Sequence, residues 1–189
     1  MRGSLKELAS AILVCQRCEL NKYGSKPVPG DGPSNAKLFI VGEAPNREAE
    51  LEGRPFVGWT GRIITQWLDY IGLSREEVYM TNAVKCVLRK KHGKIRTNGL
   101  GPFNLVDCQY WLKKELEIVN SKIIVTVGAA ALNSLLNTSV GKFHEEGFCQ
   151  KVKGRFYCAL FHPSRHSVPL RDDDRKILDQ VRSLLNSEM

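Results

Sequence analysis

Three short apolar runs constrain this chain more than any other feature. Lys37–Val41 (Lys-Leu-Phe-Ile-Val), Val78–Thr81 and Lys122–Val127 (Lys-Ile-Ile-Val-Thr-Val) read as buried strands. Helical patterns separate them. Residues 4–14 carry Leu5, Leu8 and Ile12 on one face, and Gly61–Ile71 carries Ile63, Ile64, Trp67, Leu68 and Ile71 as a stripe. Further helices are expected over Leu105–Val119, from Gly128 to Leu136, and over Asp172–Leu185, where three aspartates fall in the first turn and suit the helix dipole. Phe148–Val152 and Arg155–Phe161 read as a hairpin turning at Lys153-Gly154. Residues 24–36, rich in Gly, Pro and Ser, read as a loop. Strands alternating with helices predict an α/β fold with a mainly parallel sheet. At 189 residues the chain is expected to be a single domain, 1–189.

Four cysteines add a long-range constraint. Cys15 and Cys18 form a Cys-x-x-Cys turn, and Cys86 and Cys108 lie far along the chain. The fold must bring the two sets together if they share one metal centre. Four thiolates suit a structural zinc or an iron–sulfur cluster, and the spacing alone leaves both open. Cys149 and Cys158 stand opposite one another if the hairpin turns as expected. They are expected to be free, buried thiols, with a cross-strand disulfide as the alternative. No stretch approaches the roughly 20 apolar residues that span a membrane. The N-terminus lacks a basic–apolar–small leader, so a cytoplasmic, reducing location is expected.

A net charge of +8 and a pI of about 9.3 favour a polyanionic partner, most simply nucleic acid. The charge is clustered. Arg89, Lys90, Lys91, His92, Lys94 and Arg96 fall within eight residues of a Gly-containing stretch suited to phosphates. The polar segments Gly42–Pro45, Thr81–Lys85 and His162–Ser164 each follow a strand directly. Ligands of parallel sheets bind outside the carboxyl ends of the strands, so these segments should meet on one rim.

Gly42-Glu43-Ala44-Pro45, Gly53-Arg54-Pro55-Phe56-Val57-Gly58, Thr81-Asn82-Ala83-Val84-Lys85-Cys86 and His162-Pro163-Ser164, taken in order with the four cysteines, resemble the uracil-DNA glycosylase superfamily, and within it the fourth, iron–sulfur family. The resemblance runs from Cys15 to the last helix. It implies a three-layer α/β/α fold around a mainly parallel four-stranded sheet. It also implies hydrolysis of the N-glycosidic bond of uracil in single- or double-stranded DNA, leaving an abasic site. A structural [4Fe–4S] cluster on Cys15, Cys18, Cys86 and Cys108 is implied with it.

Residue roles follow from the chemistry of that reaction. A flipped base needs an aromatic face, for which Phe56 is the candidate. It needs a side chain that accepts from N3–H and donates to O4, and the Asn82 amide has both groups. The departing uracil leaves charge on O2, which His162 is suited to stabilise. Glu43 is assigned to position water or to stabilise the sugar cation. Gly42 and Ala44 belong to the same turn and Ser164 to phosphate contact or capping. Arg89, Lys90, Lys91, Lys94, Arg96, Arg165 and His166 are expected to face DNA.

The sequence departs from the family's usual pattern in places. Asn46 stands where a Gly is usual after the Pro of the first motif. Ala49 replaces an acidic residue near the pyrimidine C5 edge, flanked by Glu48 and Glu50. A smaller wall there predicts tolerance of 5-substituted uracils such as 5-hydroxymethyluracil. The 21 residues between Cys86 and Cys108 form a longer, more basic loop than usual. A covalent DNA-trapping branch has a loop His where this chain has Thr97, with His92 five residues earlier. Arg165-His166-Ser167-Val168-Pro169-Leu170 replaces a more apolar wedge. Rival readings are a glycosylase with altered base choice (5-modified uracil or hypoxanthine), a trapping relative, a zinc-stabilised nucleic-acid-binding module and a cluster-based redox sensor. A monomer is expected.

Overall fold

The structure, a computed structural model, describes residues 3–89, 94–95, 106–145, 147–163 and 170–188. Lys90, Lys91, His92, Arg96, Thr97, Ser164, Arg165 and His166 lie outside the described residues.

The apolar runs form β1 (Leu38–Gly42), β2 (Val78–Asn82) and β3 (Ile123–Val127), each buried at every position. The hairpin adds β4 (Cys149–Val152) and β5 (Arg155–Leu160). The sheet therefore has five strands, in the order β2-β1-β3-β5-β4, rather than the four expected. β1, β2, β3 and β5 are parallel, and β4 pairs antiparallel with β5 at the edge. The fifth strand exists because the hairpin's first arm joins the same sheet.

Alternate residues of β1 enter two cores, which is why its sequence is a continuous apolar run. Leu38 and Ile40 pack with α4 (Gly58–Ile71) and α8 (Asp172–Glu188) through Ile64, Trp67, Leu68, Ile177 and Val181. Phe39 and Val41 pack on the other face with α5 (Val106–Val119), which contributes Leu112, Leu116 and Val119. α1 (Leu5–Leu13) and α6 (Ala129–Leu136) also sit on that second face. These are the three layers expected. α1 opens with a capping box, Ser4 Oγ accepting from Glu7 N–H and Glu7 accepting from Ser4 N–H.

Three short helices escape periodicity: α2 (Glu19–Lys22), α3 (Arg47–Glu52) and α7 (Val140–Glu145). α4 starts at Gly58, three residues before the expected start at Gly61. Asn46, the residue where the family usually has Gly, caps α3, its Oδ1 accepting from Ala49 N–H at 2.8 Å.

One expectation is overturned. Cys149 and Cys158 are joined by a disulfide rather than being free thiols. They face one another in the β4–β5 register, with a Cα–Cα distance of 4.2 Å that matches the close pairs of an antiparallel ladder. The turn at Lys153-Gly154 fixes that register, as expected.

Candidate active site

All four parallel strands end on one edge of the sheet, and the polar segments that follow them meet there as expected. A cavity of about 160 Å³ opens at this edge. Gly42, Glu43, Ala44, Asn82 and His162 line it, and so do Ala49 and Phe56 from the segment after β1. Pro45, Asn46, Val57, Thr60 and Val127 complete the wall; Thr60 and Val127 carried no functional signal in the sequence.

Backbone pairing fixes the floor. The register sets Gly42 beside Asn82 at the ends of β1 and β2. Beyond it, Ala83 N–H donates to Gly42 O at 2.8 Å and Val84 N–H to Glu43 O at 2.9 Å. Gly42 cannot carry a side chain, since a Cβ there would stand 2.5 Å from Asn82 Oδ1 and 2.8 Å from the Phe56 ring. Asn82 is 4% exposed, and among the described residues its amide makes no hydrogen bond.

Phe56 sits at φ 52°, a left-handed conformation that is rare for a bulky residue and marks stored strain. Arg75, in a short turn before β2, holds it there. Its guanidinium donates to Phe56 O at 2.9 Å and to Pro55 O at 2.6 Å. Burial, and then repulsion from Arg54, pull the Arg75 guanidinium below its usual pKa. Sequence reasoning missed Arg75, because an Arg in a polar turn looks like a solvated charge.

Glu43 Oε1 is buried and, among the described residues, without a hydrogen-bond partner. A carboxylate oxygen buried in this state calls for a ligand or water in the cavity it lines. His162 follows β5 by two residues and is exposed. It packs against Gly128, whose φ of 89° and missing Cβ leave room for the imidazole.

Ala49 is 1% exposed and forms one wall. Its acidic neighbours are engaged elsewhere. Glu50 pairs with Arg89 and accepts from Lys26 N–H at 2.8 Å, while the Glu48 carboxylate packs over Gly58. Arg89 is thus held against Glu50, only 18% exposed, rather than lying on an open basic face. It also bridges to Ile95 in an antiparallel contact at the base of the basic loop. Lys94 is exposed.

The four free cysteines gather beside this rim. Cys86 and Cys108 are buried in a small cluster with Leu20, Val84 and Leu88, and Cys18 packs against it. Cys18 and Cys108 share a hydrogen bond that lowers the Cys18 thiol to about 6 and drives Cys108 up. Burial first, then the nearby Cys18 and Cys15 sulfurs, push Cys86 up to about 12. From α5, Trp111 Nε1–H donates to Cys15 Sγ at 3.2 Å, and Arg17 lies 4.5 Å from the Tyr110 ring centre. Among the described residues, no group of three or more His, Cys, Asp or Glu side chains already stands in metal-holding geometry. The donor set, four thiols from three chain segments, fits an iron–sulfur cluster or zinc. Also among the described residues, no helix is long and apolar enough to cross a membrane.

Residues 29–184 match the family model of the uracil DNA glycosylase superfamily, and the chain belongs to that superfamily. Its relatives include a Type-4 uracil-DNA glycosylase of Archaeoglobus fulgidus, 36% identical over 85% of this chain and 82% of the relative. A Type-4 uracil-DNA glycosylase of Thermotoga maritima is 32% identical over 99% of this chain and 98% of the relative. The solution structure of a candidate uracil DNA glycosylase from Methanosarcina acetivorans shares the fold, with a TM-score of 0.51 at 14% identity over 85% of this chain and 97% of that one.

Proposed function

We propose that this chain is a monofunctional uracil-DNA glycosylase, acting as a cytoplasmic monomer and single domain on DNA. The observation that carries this reading is the cavity itself. It gathers an amide, an aromatic face, an imidazole and a buried carboxylate oxygen without a partner among the described residues. Uracil flipped from the strand stacks on Phe56. Asn82 Oδ1 accepts from N3–H and its NH₂ donates to O4, a pattern cytosine cannot satisfy. The C1′–N1 bond breaks with its electron pair leaving on uracil, spread to O2, where His162 donates a hydrogen bond. Glu43 accepts a hydrogen bond from the water whose oxygen bonds C1′ and whose proton passes to bulk solvent.

Cys15, Cys18, Cys86 and Cys108 would hold a [4Fe–4S] cluster. That cluster would cross-link the N-terminal segment to the β2 and α5 segments, at a distance from the base and with no part in bond breaking. An iron–sulfur protein is brown and absorbs broadly near 400 nm, whereas a zinc protein is colourless.

A specific observation favours a second reading of base choice. Ala49 leaves the cavity wall small, and Glu48 and Glu50 are held away from it. The pocket therefore accepts 5-substituted uracils, 5-hydroxymethyluracil among them. The Thr97 and His92 positions relevant to covalent trapping lie outside the described residues.

The test uses single- and double-stranded oligonucleotides carrying one uracil or one 5-hydroxymethyluracil, with abasic sites revealed by alkali. Uracil excision is expected, falling by roughly 10²- to 10³-fold in His162→Ala, the cost of losing one oxyanion donor. Asn82→Ala is expected to lose at least about 10²-fold. Ala49→Glu is expected to remove 5-hydroxymethyluracil cleavage while sparing uracil. An intact, DNA-binding protein that cleaves neither base would overturn the reading.

A further inference from the structure

Beneath the pocket floor lies a charged pair that is not itself part of the cavity lining. Lys85 and Glu115 are 1% and 0% exposed, and Lys85 Nζ stands 2.6 Å from Glu115 Oε2. An ammonium has three protons, and all three are used here. The other two go to Thr81 Oγ1 at 2.6 Å and to the main-chain carbonyl of Asn82 at 2.7 Å. Glu115 is equally bound. It accepts from the Thr81 hydroxyl, and its Oε1 accepts from Gly30 N–H at 3.1 Å. The pair thus ties α5, the 25–31 loop and the last two residues of β2 into one closed network.

Burying two charges costs several kcal/mol for each ion, and a well-packed apolar pair often serves stability as well. Stability is a weak reason for such a pair. Its placement supplies a stronger one. Asn82 is the last residue of β2; the Ala83 N–H of the peptide that follows it bonds Gly42 O, and the Asn82 carbonyl of that peptide is gripped by Lys85. Its side chain points into the corner between Gly42 and Phe56, where there is no slack. A tilt of the Asn82 peptide would swing the amide off the edge of the base, and misplacement by about 1 Å costs roughly 10²-fold in rate.

We propose that Lys85, anchored by Glu115, is a positioning residue for base recognition: it fixes the Asn82 peptide so that the amide meets the pyrimidine edge. The inference rests on the proposed glycosylase reading. It also sets the pocket beside the thiol set, because Lys85 immediately precedes Cys86 in the chain. Cys108 and Glu115 lie seven residues apart on α5, about two turns and hence on one face.

The test is a cycle between the charged pair and Asn82. Lys85→Met alone would strand a buried carboxylate, so it is combined with Glu115→Gln, which keeps an acceptor for Gly30 N–H and the Thr81 hydroxyl. Thr81→Val, which removes one of the three acceptors at constant shape, is the second variant and covers a failure of the first to fold. Single-turnover excision of uracil, affinity for abasic-site DNA and melting temperature are measured in the native and the Asn82→Ala backgrounds. The double variant is expected to lose roughly 10- to 100-fold in excision in the native background, with affinity for abasic DNA within about twofold. In the Asn82→Ala background the same changes are expected to cost less than about threefold, since positioning has nothing left to position. Thr81→Val is expected to show the same dependence on background at about three- to tenfold. Equal losses in both backgrounds, or no loss in the native one, would overturn the proposal. An unmodified protein that does not excise uracil would instead overturn the functional reading on which it rests.

Discussion

The pocket floor and the cysteine neighbourhood adjoin one another, yet they are held by different kinds of force. The floor is closed by protein alone. Parallel strands set Gly42 beside Asn82, two backbone bonds continue past the strand ends, Arg75 clamps Phe56, and Lys85 with Glu115 braces the Asn82 peptide. The cysteine side draws on three segments with little secondary structure of their own near Cys15 and Cys18. α2 there has four residues, and the protein's own ties to that turn include Trp111 and Asn21 on Cys15, Arg17 over Tyr110, and the Cys18–Cys108 hydrogen bond. The pocket is therefore preorganised in the polypeptide, whereas the cysteine side is left for the proposed metal centre to complete.

Removing the proposed metal centre should break this contrast most visibly. Cys86→Ser or chelation is expected to lower the melting temperature by more than about 10 °C, on the scale of several kcal/mol for a structural metal site. Proteolysis should cut first within residues 14–26, while amide protons of β1 and β3 stay protected. Simultaneous loss of protection in both regions would show that the pocket is not independently formed.

Filling the tightest point of the floor should act in the opposite sense. Gly42→Ala puts a methyl against the Asn82 amide and the Phe56 ring. Excision is expected to fall by about 10²-fold or more with a change in melting temperature of only a few degrees, since the site moves by about 1 Å while the core does not. Arg75→Gln is a milder version. It frees the Phe56 and Pro55 carbonyls and lets Phe56 relax from its positive φ, with a loss of about tenfold in single-turnover rate, on the order of the 1–3 kcal/mol stored at such a residue.

The smallest effect is alkaline. Burial, followed by the Glu115 charge and hydrogen bond, raises the Tyr79 phenol far above its usual value. The folded state then keeps a proton that the unfolded chain releases above about pH 10. Unfolding free energy should fall as pH rises through that point, and Tyr79→Phe should flatten the slope. An unchanged slope would detach Tyr79 from the brace under the pocket.

What the sequence revealed and what it hid divide along physical lines. β1, β2 and β3 were legible because strands buried on both faces leave unbroken apolar runs. Phe56, Asn82 and His162 were legible because each is tied to a strand's end or the loop that follows one. α3 had its signals, Asn46 as cap and Gly53 in the left-handed region, but six polar residues are too few to show a period. Lys85 and Glu115 were hidden for a different reason. Charged residues ordinarily face water, and nothing local states that these two do not; burial is a property of the whole fold. The bridge between Cys149 and Cys158 was hidden by the compartment expected for the chain, although the register was read correctly.

That bridge has a practical consequence. One chain carries a linked sulfur pair at the edge of its sheet and four free thiols near its active rim. A preparation under strong reductant keeps the four thiols reduced but invites the hairpin to open; an oxidising one protects the hairpin and threatens the four. The buffer in which this protein is first isolated therefore decides which of its two sulfur chemistries survives to be measured.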